Sequence, residues 1–296
     1  MLIQNPIVDE NRRSSDPFVT YYKDVYYSCY CDVEGVYVSY CHDLSLLRYA
    51  KEKRVWVNET DHDIGWYAPE LHKIGDKWYI YGAPDGIEGY TTHTMSVLES
   101  VSDDPLGPYI YKGMIKGLEN VWSIDGTILE HNGKMYMVWS NSNLLIAEMA
   151  DPFTVIGEHK ILAKAEEDWE RVMSPIAEGP CVIKKDGKLH IIYSASDSRC
   201  DDYCLGLLSF KGGDITDSSN WEKSSGPVFS KTDEVYGPGH CSVTVIEKEN
   251  TIIDVLVYHA NLESGSGWVG RSIWIKPFEW EDGYPVFGKP EINIEI

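Results

Sequence analysis

Three acidic side chains, Asp16, Asp125 and Glu178, each sit in a short Gly-, Pro- or Ser-rich context: Ser15-Asp16-Pro17, Ile124-Asp125-Gly126 and Ala177-Glu178-Gly179-Pro180. Two carboxylates facing each other across a pocket can hydrolyse a glycosidic bond. One, protonated, donates to the leaving oxygen; the other, ionised, activates water or attacks carbon. Each neighbouring negative charge disfavours ionisation of the next, so one of the three is expected to keep its proton. Glu178 has the longer reach and an apolar run before it, Ile176-Ala177, so it is the expected acid. A calcium site would draw on the same residue types, and the cluster alone admits both.

Such a cluster needs elements that bring distant residues to one place. Short runs of β-branched and aromatic residues alternate with Gly, Asp and Asn turns, which is an all-β pattern. An aromatic strand after a tight turn recurs at Gly75-Asp76-Lys77-Trp78-Tyr79, Asn132-Gly133-Lys134-Met135-Tyr136 and Asp186-Gly187-Lys188-Leu189-His190. Asn-Gly and Asp-Gly favour hairpins because both central residues of the turn need positive φ. Looser copies start at Lys23 and Thr251, and only residues 161–173 suggest a helical turn. Upstream of each hairpin stands one polar residue: Asp16, Glu70, Asp125, Glu178 and His240, at intervals of 54, 55, 53 and 62 residues. Repeating units of a few strands build propellers or solenoids. The expectation is a five-bladed β-propeller, one domain spanning 1–296, with the five polar residues converging on its axis.

Composition narrows the partners. The chain has 296 residues and a formal net charge of −21 without a basic cluster, so it repels a phosphate backbone and no nucleic-acid partner is expected. Apolar runs such as Val255–Tyr258 are strand-sized, far below the roughly 20 residues of a membrane span, so no membrane partner is expected either. Seven cysteines, including the pairs Cys29/Cys31 and Cys200/Cys204, lack zinc-site spacing and read as free thiols. The segment Met1–Pro6 shows no basic region followed by an apolar stretch, so a cytoplasmic location is expected. The 20 Tyr and 10 Trp suit strand packing first and the flat faces of sugars second.

At the carboxylates the chain resembles glycoside hydrolase family 43, in particular its exo-acting α-L-arabinofuranosidase branch. The resemblance rests on Ser15-Asp16-Pro17-Phe18-Val19, Ala68-Pro69-Glu70-Leu71-His72, Ser123-Ile124-Asp125-Gly126-Thr127 and Ala177-Glu178-Gly179-Pro180. To these are added Cys204-Leu205-Gly206, Tyr236-Gly237-Pro238-Gly239-His240 and Val257-Tyr258-His259, all in order along essentially the whole chain. It implies an inverting hydrolysis with Asp16 as general base, Glu178 as general acid and Asp125 tuning and orienting that acid. It implies that His240 stands near a structural calcium or sodium ion, with no cofactor required for the chemistry, and that the Arg271 guanidinium enters the pocket. Glu70 and His72 are expected in the pocket wall, and Trp122 as a stacking platform for a sugar. The family's Trp before Ala-Pro-Glu is here Tyr67, with Trp66 one position earlier, so either ring could line the pocket; Cys241 also departs from the branch's usual Asn. The implied activity is release of arabinose from short arabino-oligosaccharides. A β-xylosidase on xylo-oligosaccharides, an endo-arabinanase and a non-catalytic sugar-binding propeller are the alternatives.

Overall fold

In the computed structural model, residues 2–10, 15–32, 34–58, 65–85, 92–248 and 251–296 are described. After a short β1 (Leu2–Gln4), four sheets of four antiparallel strands follow in chain order. Blade I is β2 (Phe18–Tyr22), β3 (Val25–Asp32), β4 (Gly35–Cys41) and β5 (Lys51–Val57); blade II is β6 (Trp66–Ile74), β7 (Lys77–Pro84), β8 (Ser96–Ser100) and β9 (Tyr109–Met114). Blade III is β10 (Ile124–His131), β11 (Lys134–Ser140), β12 (Leu144–Asp151) and β13 (Thr154–Ala163); blade IV is β14 (Ala177–Lys185), β15 (Lys188–Ala195), β16 (Cys204–Phe210) and β17 (Trp221–Lys223). Blade V has β18 (Tyr236–Lys248), β19 (Thr251–Asn261) and β20 (Ser272–Pro277), followed by the hairpin of β21 (Glu279–Glu281) and β22 (Tyr284–Val286) and by β23 (Asn293–Glu295). The chain is a five-bladed β-propeller, as its hairpin spacing predicts. The helical turn expected within 161–173 is a single 3-10 turn, Asp168–Glu170. No described helix is long and apolar enough to cross a membrane.

Each blade buries both of its faces, which explains the density of β-branched and aromatic residues. Five apolar clusters form, one at each interface between neighbouring blades. Leu129, Val138 and Ile146 of blade III meet Ile191, Tyr193 and Leu208 of blade IV, for example, and Val36 and Val38 of blade I meet Trp78 and Ile80 of blade II. The two ends of the chain close the ring. β1 pairs antiparallel with β23, and Val8 bridges Ile273 on the open edge of β20, where the other blades carry a fourth strand. Asn5 locks this closure: its Nδ2 donates to the carbonyls of Ile275 and Glu291, both at 2.9 Å, and its Oδ1 accepts the Ile275 N–H at 3.0 Å.

Candidate active site

The site is built from a backbone irregularity that recurs in blades II to V. In β6 the ladder pairs Tyr67 with Ala83 and then Glu70 with Tyr81, so three steps on one strand face two on the other. The same bulge falls between Ile124 and Thr127, Glu178 and Cys181, and Gly239 and Ser242. The residue just after its first pair takes left-handed backbone: Ala68 (φ 43°), Asp125 (57°), Gly179 (54°) and His240 (44°), with Asp16 (51°) in the corresponding place before β2. Bulges re-aim a side chain where a regular strand would not. The equivalent positions are therefore Asp16, Ala68, Asp125, Gly179 and His240. The spacing series had the right period, but Glu70 and Glu178 are out of phase with it, two residues after and one before the equivalent position.

That offset separates the three carboxylates electrostatically. Gly179 occupies the fourth equivalent place because a Cβ there would lie 3.1 Å from His240 Nδ1 and 3.2 Å from Ser194 Oγ. Its N–H donates to Asp125 Oδ2 at 3.0 Å. Glu178, beside it, accepts the Tyr203 hydroxyl at 2.8 Å. The Tyr203 ring lies parallel to that of His259, centroids 5.6 Å apart.

Asp16 Oδ1 is surrounded by cationic and imidazole nitrogens: His240 Nδ1 at 3.3 Å, His259 Nδ1 at 3.4 Å and Arg271 Nη1 at 3.4 Å. Burial pushes its carboxyl up, but the His240 and Arg271 charges outweigh burial and hold it far below the usual carboxylate range. His259 Nδ1 also accepts the Asp16 backbone N–H at 3.2 Å, which places the ring proton on Nε2. Burial, then the Arg271 charge, lowers His259 to about 4, so it stays neutral at ordinary pH.

The other two carboxyls move the opposite way. Burial and the Asp16 charge push Asp125 up to about 8, with Glu70 contributing and the Gly179 N–H opposing. Burial and the Asp125 charge push Glu178 up to about 8, with the Tyr203 bond and His240 opposing. Two neighbouring buried carboxyls titrate as a pair and retain a proton near neutral pH. The arrangement thus offers an ionised carboxylate on one side and a proton donor on the other.

Of the two candidate rings before Ala-Pro-Glu, Trp66 is 3% exposed and packs on Trp56 and Tyr111 between blades I and II, so most of it is core. Tyr67 is the exposed ring. It borders, with Asp16, Cys31 and Gly65, a cleft of about 350 Å³ between those blades. Tyr67 also lies 4.5 Å from His93, which in turn lies 6.0 Å from Trp122 with ring planes 18° apart, so the two expected platforms belong to one aromatic wall. Glu70 is buried and bound to His72 Nε2 at 2.6 Å. Arg271 meets a carboxylate, Asp16. His240 directs Nδ1 at Asp16 and Asp125, and no three His, Cys, Asp or Glu among the described residues are grouped to hold a metal. No step below runs through an ion. All seven cysteines are free. The sequence reading missed Tyr203 and gave His259 only as part of the motif Val257-Tyr258-His259.

A five-bladed propeller whose axial carboxyls split into one strongly acidic and two weakly acidic groups has the machinery of a glycoside hydrolase. The profile of Glycosyl hydrolases family 43 matches residues 3–285, and the chain belongs to that family. It is similar to the extracellular exo-α-(1→5)-L-arabinofuranosidase of Streptomyces chartreusis, 34% identical over 274 residues, which cover 87% of this chain and 82% of that protein. It is also 34% identical over 310 residues to the protein of the same name from Streptomyces avermitilis, covering 97% of this chain but 63% of that longer protein. Among solved structures it resembles an α-L-arabinofuranosidase from Lactobacillus brevis, with a TM-score of 0.87, 30% identity and 98% and 97% of the two chains covered. The two Streptomyces relatives are named extracellular, which overturns the expected cytoplasmic location. Residues Leu2–Gln4, read as lacking leader character, form a strand of the fold.

Proposed function

We propose that this glycoside hydrolase is an exo-acting α-L-arabinofuranosidase that works by inversion. The observation that carries the mechanism is the opposite displacement of Asp16 and Glu178. Asp16, kept ionised by His240 and Arg271, takes a proton from the water that attacks the anomeric carbon. Glu178 protonates the leaving oxygen as the glycosidic bond breaks. Of the coupled pair Asp125 and Glu178, we assign the transferred proton to Glu178, where the Asp125 charge makes it harder to lose, while the Gly179 N–H steadies ionised Asp125. His259 neither gives nor takes a proton: it fixes the Asp16 backbone in its left-handed conformation and supports Tyr203. Tyr67 and Trp122 are the rings placed to face a sugar.

The arabinofuranoside specificity is supported by the names of the relatives, since arabinofuranose and xylopyranose offer related hydroxyl patterns. The experiment compares hydrolysis of nitrophenyl α-L-arabinofuranoside, nitrophenyl β-D-xylopyranoside and α-1,5-arabino-oligosaccharides, following the anomer released by NMR. Arabinose released singly from chain ends, initially as the inverted anomer, is the expected result. Preference for the xyloside would make it a β-xylosidase, release of internal fragments an endo-arabinanase, and binding without cleavage a sugar-binding propeller.

A further inference from the structure

The carboxylate face carries a further aromatic side chain, Trp268, outside the sites considered so far. In blade IV, Ala177 pairs with Ala195 at the bulged end, and in blade V, Tyr236 pairs with Asn261. The connections 196–203 and 262–271 therefore both stand on the face that holds Glu178 and His240. Trp268 lies on the second. It is 54% exposed, yet it is held on several sides. Its Nε1–H donates to Ser198 Oγ at 3.0 Å, and the guanidinium carbons of Arg199 and Arg271 lie 5.6 Å and 5.9 Å from its ring centre. Arg199 is fixed by Asp197 through bonds of 2.8 Å and 2.7 Å. The loop is braced as well: Asp201 accepts Ser264 Oγ at 2.5 Å and the Gly265 N–H at 2.9 Å.

Ordering a large side chain costs conformational entropy, which burial normally offsets. Here more than half of the indole stays in water, so the ordering is complete before any partner arrives. A rigid aromatic face with one polar edge already satisfied is suited to the C–H face of a sugar ring, and the entropy cost of binding is reduced in advance. On the acid side, Glu178 accepts the Tyr203 hydroxyl, and the connection 196–203 that ends at Tyr203 holds Trp268 through Ser198. On the proposed mechanism the sugar under attack fills the space between Asp16 and Glu178, so the next ring outward is the leaving one. We propose that Trp268 is a substrate-positioning residue against which the leaving-side sugar of an oligosaccharide stacks. The inference rests on the arabinofuranosidase reading and adds to it where the second sugar lies.

The test compares the parent with Trp268→Ala and Trp268→Phe, using α-1,5-arabinotriose as substrate and free arabinose as inhibitor. Loss of one stacking contact is expected to raise KM for arabinotriose roughly tenfold in Trp268→Ala, about 1.4 kcal/mol, with kcat changed much less. The inhibition constant for arabinose, which needs only the inner position, is expected to hold, and Trp268→Phe is expected to recover most of the lost KM. An unchanged KM in Trp268→Ala overturns the inference. So does an arabinose constant weakened as much as KM, or a Phe variant as impaired as the Ala variant. A parent that does not cleave arabinotriose overturns the functional reading itself, and this inference with it.

Discussion

At the scale of single residues, the chemistry depends on three carboxyls of similar intrinsic acidity being driven apart by their neighbours. Asp16 has the cations, while Asp125 and Glu178 have each other and burial. The sign of each displacement gives a pH profile. A general base must be ionised, so activity requires pH above the depressed Asp16 value; a general acid must be protonated, so activity requires pH below about 8. We expect kcat/KM on an arabinofuranoside to stay level through mildly acidic pH and to fall roughly tenfold per unit above about 8. An alkaline limb starting below pH 6 would contradict the assignment of Glu178. Arg271→Ala removes one of the groups that hold Asp16 down, so an acidic limb should move up into the measurable range while the alkaline limb stays. Asp16→Ala and Glu178→Ala should each cost roughly 10²–10⁴-fold in kcat, read with a good and a poor leaving group, and the Glu178 loss should be larger for the poor one.

At the scale of elements, the bulge at the head of the inner strands of blades II to V decides which side chains meet. The sequence made its period legible because Gly, Pro and Ser collect around it, and it exposed Asp125, which sits in the bulge, and Asp16, which takes the same backbone angle before β2. Its phase was not legible. The defining property is a backbone angle that Ala68, Gly179 and His240 share with Asp16 and Asp125, although their side chains have nothing in common. The burial of Trp66 was hidden for a related reason, since adjacent strand residues face opposite ways and only the register says which of Trp66 and Tyr67 points to the core. Tyr203 and His259 gain their meaning from contacts across blades, which no local pattern encodes. Gly179→Ala tests the element directly. Left-handed backbone with a Cβ costs roughly 1–2 kcal/mol, and here the methyl also meets His240 at 3.1 Å and disturbs the N–H that Asp125 accepts. Asp125 should then compete for the proton, so kcat should drop together with the melting temperature. Gly187→Ala is the control. Gly187 has φ 79° in a hairpin turn with no atom within 4 Å of its added Cβ. It should lose stability alone; equal kcat losses in both variants would show that strain, not the Asp125 contact, is responsible.

At the scale of the whole molecule, a ring of blades must join the parts of the chain that are furthest apart in sequence. Four of the five interfaces lie between consecutive blades. The fifth brings Ile3, Ile7 and Val8 together with Val255, Val257 and Ile275, and it holds the Asp16 side of the site against the His240, His259 and Arg271 side. It also covers the edge of β20 with Ile7 and Val8, whereas the outer strand β5 of blade I carries exposed Lys51, Glu52, Lys53 and Arg54, which discourage edge pairing. Asn5, 2% exposed, is the side chain on which this closure converges. Asn5→Ala leaves the Ile275 N–H and two carbonyls without their partners, at about 1–3 kcal/mol for each buried group left unsatisfied. The variant should therefore unfold at clearly lower denaturant concentration. Because Asn5 touches no side chain of the site, turnover should match the parent well below the melting point and fail earlier on heating. Early loss of kcat in step with the opening of blade V, seen as faster hydrogen exchange at Ile273 and Ile275, would tie catalysis to closure of the ring. Normal stability in Asn5→Ala would mean that the apolar packing of Ile3, Ile7 and Ile294 closes it unaided.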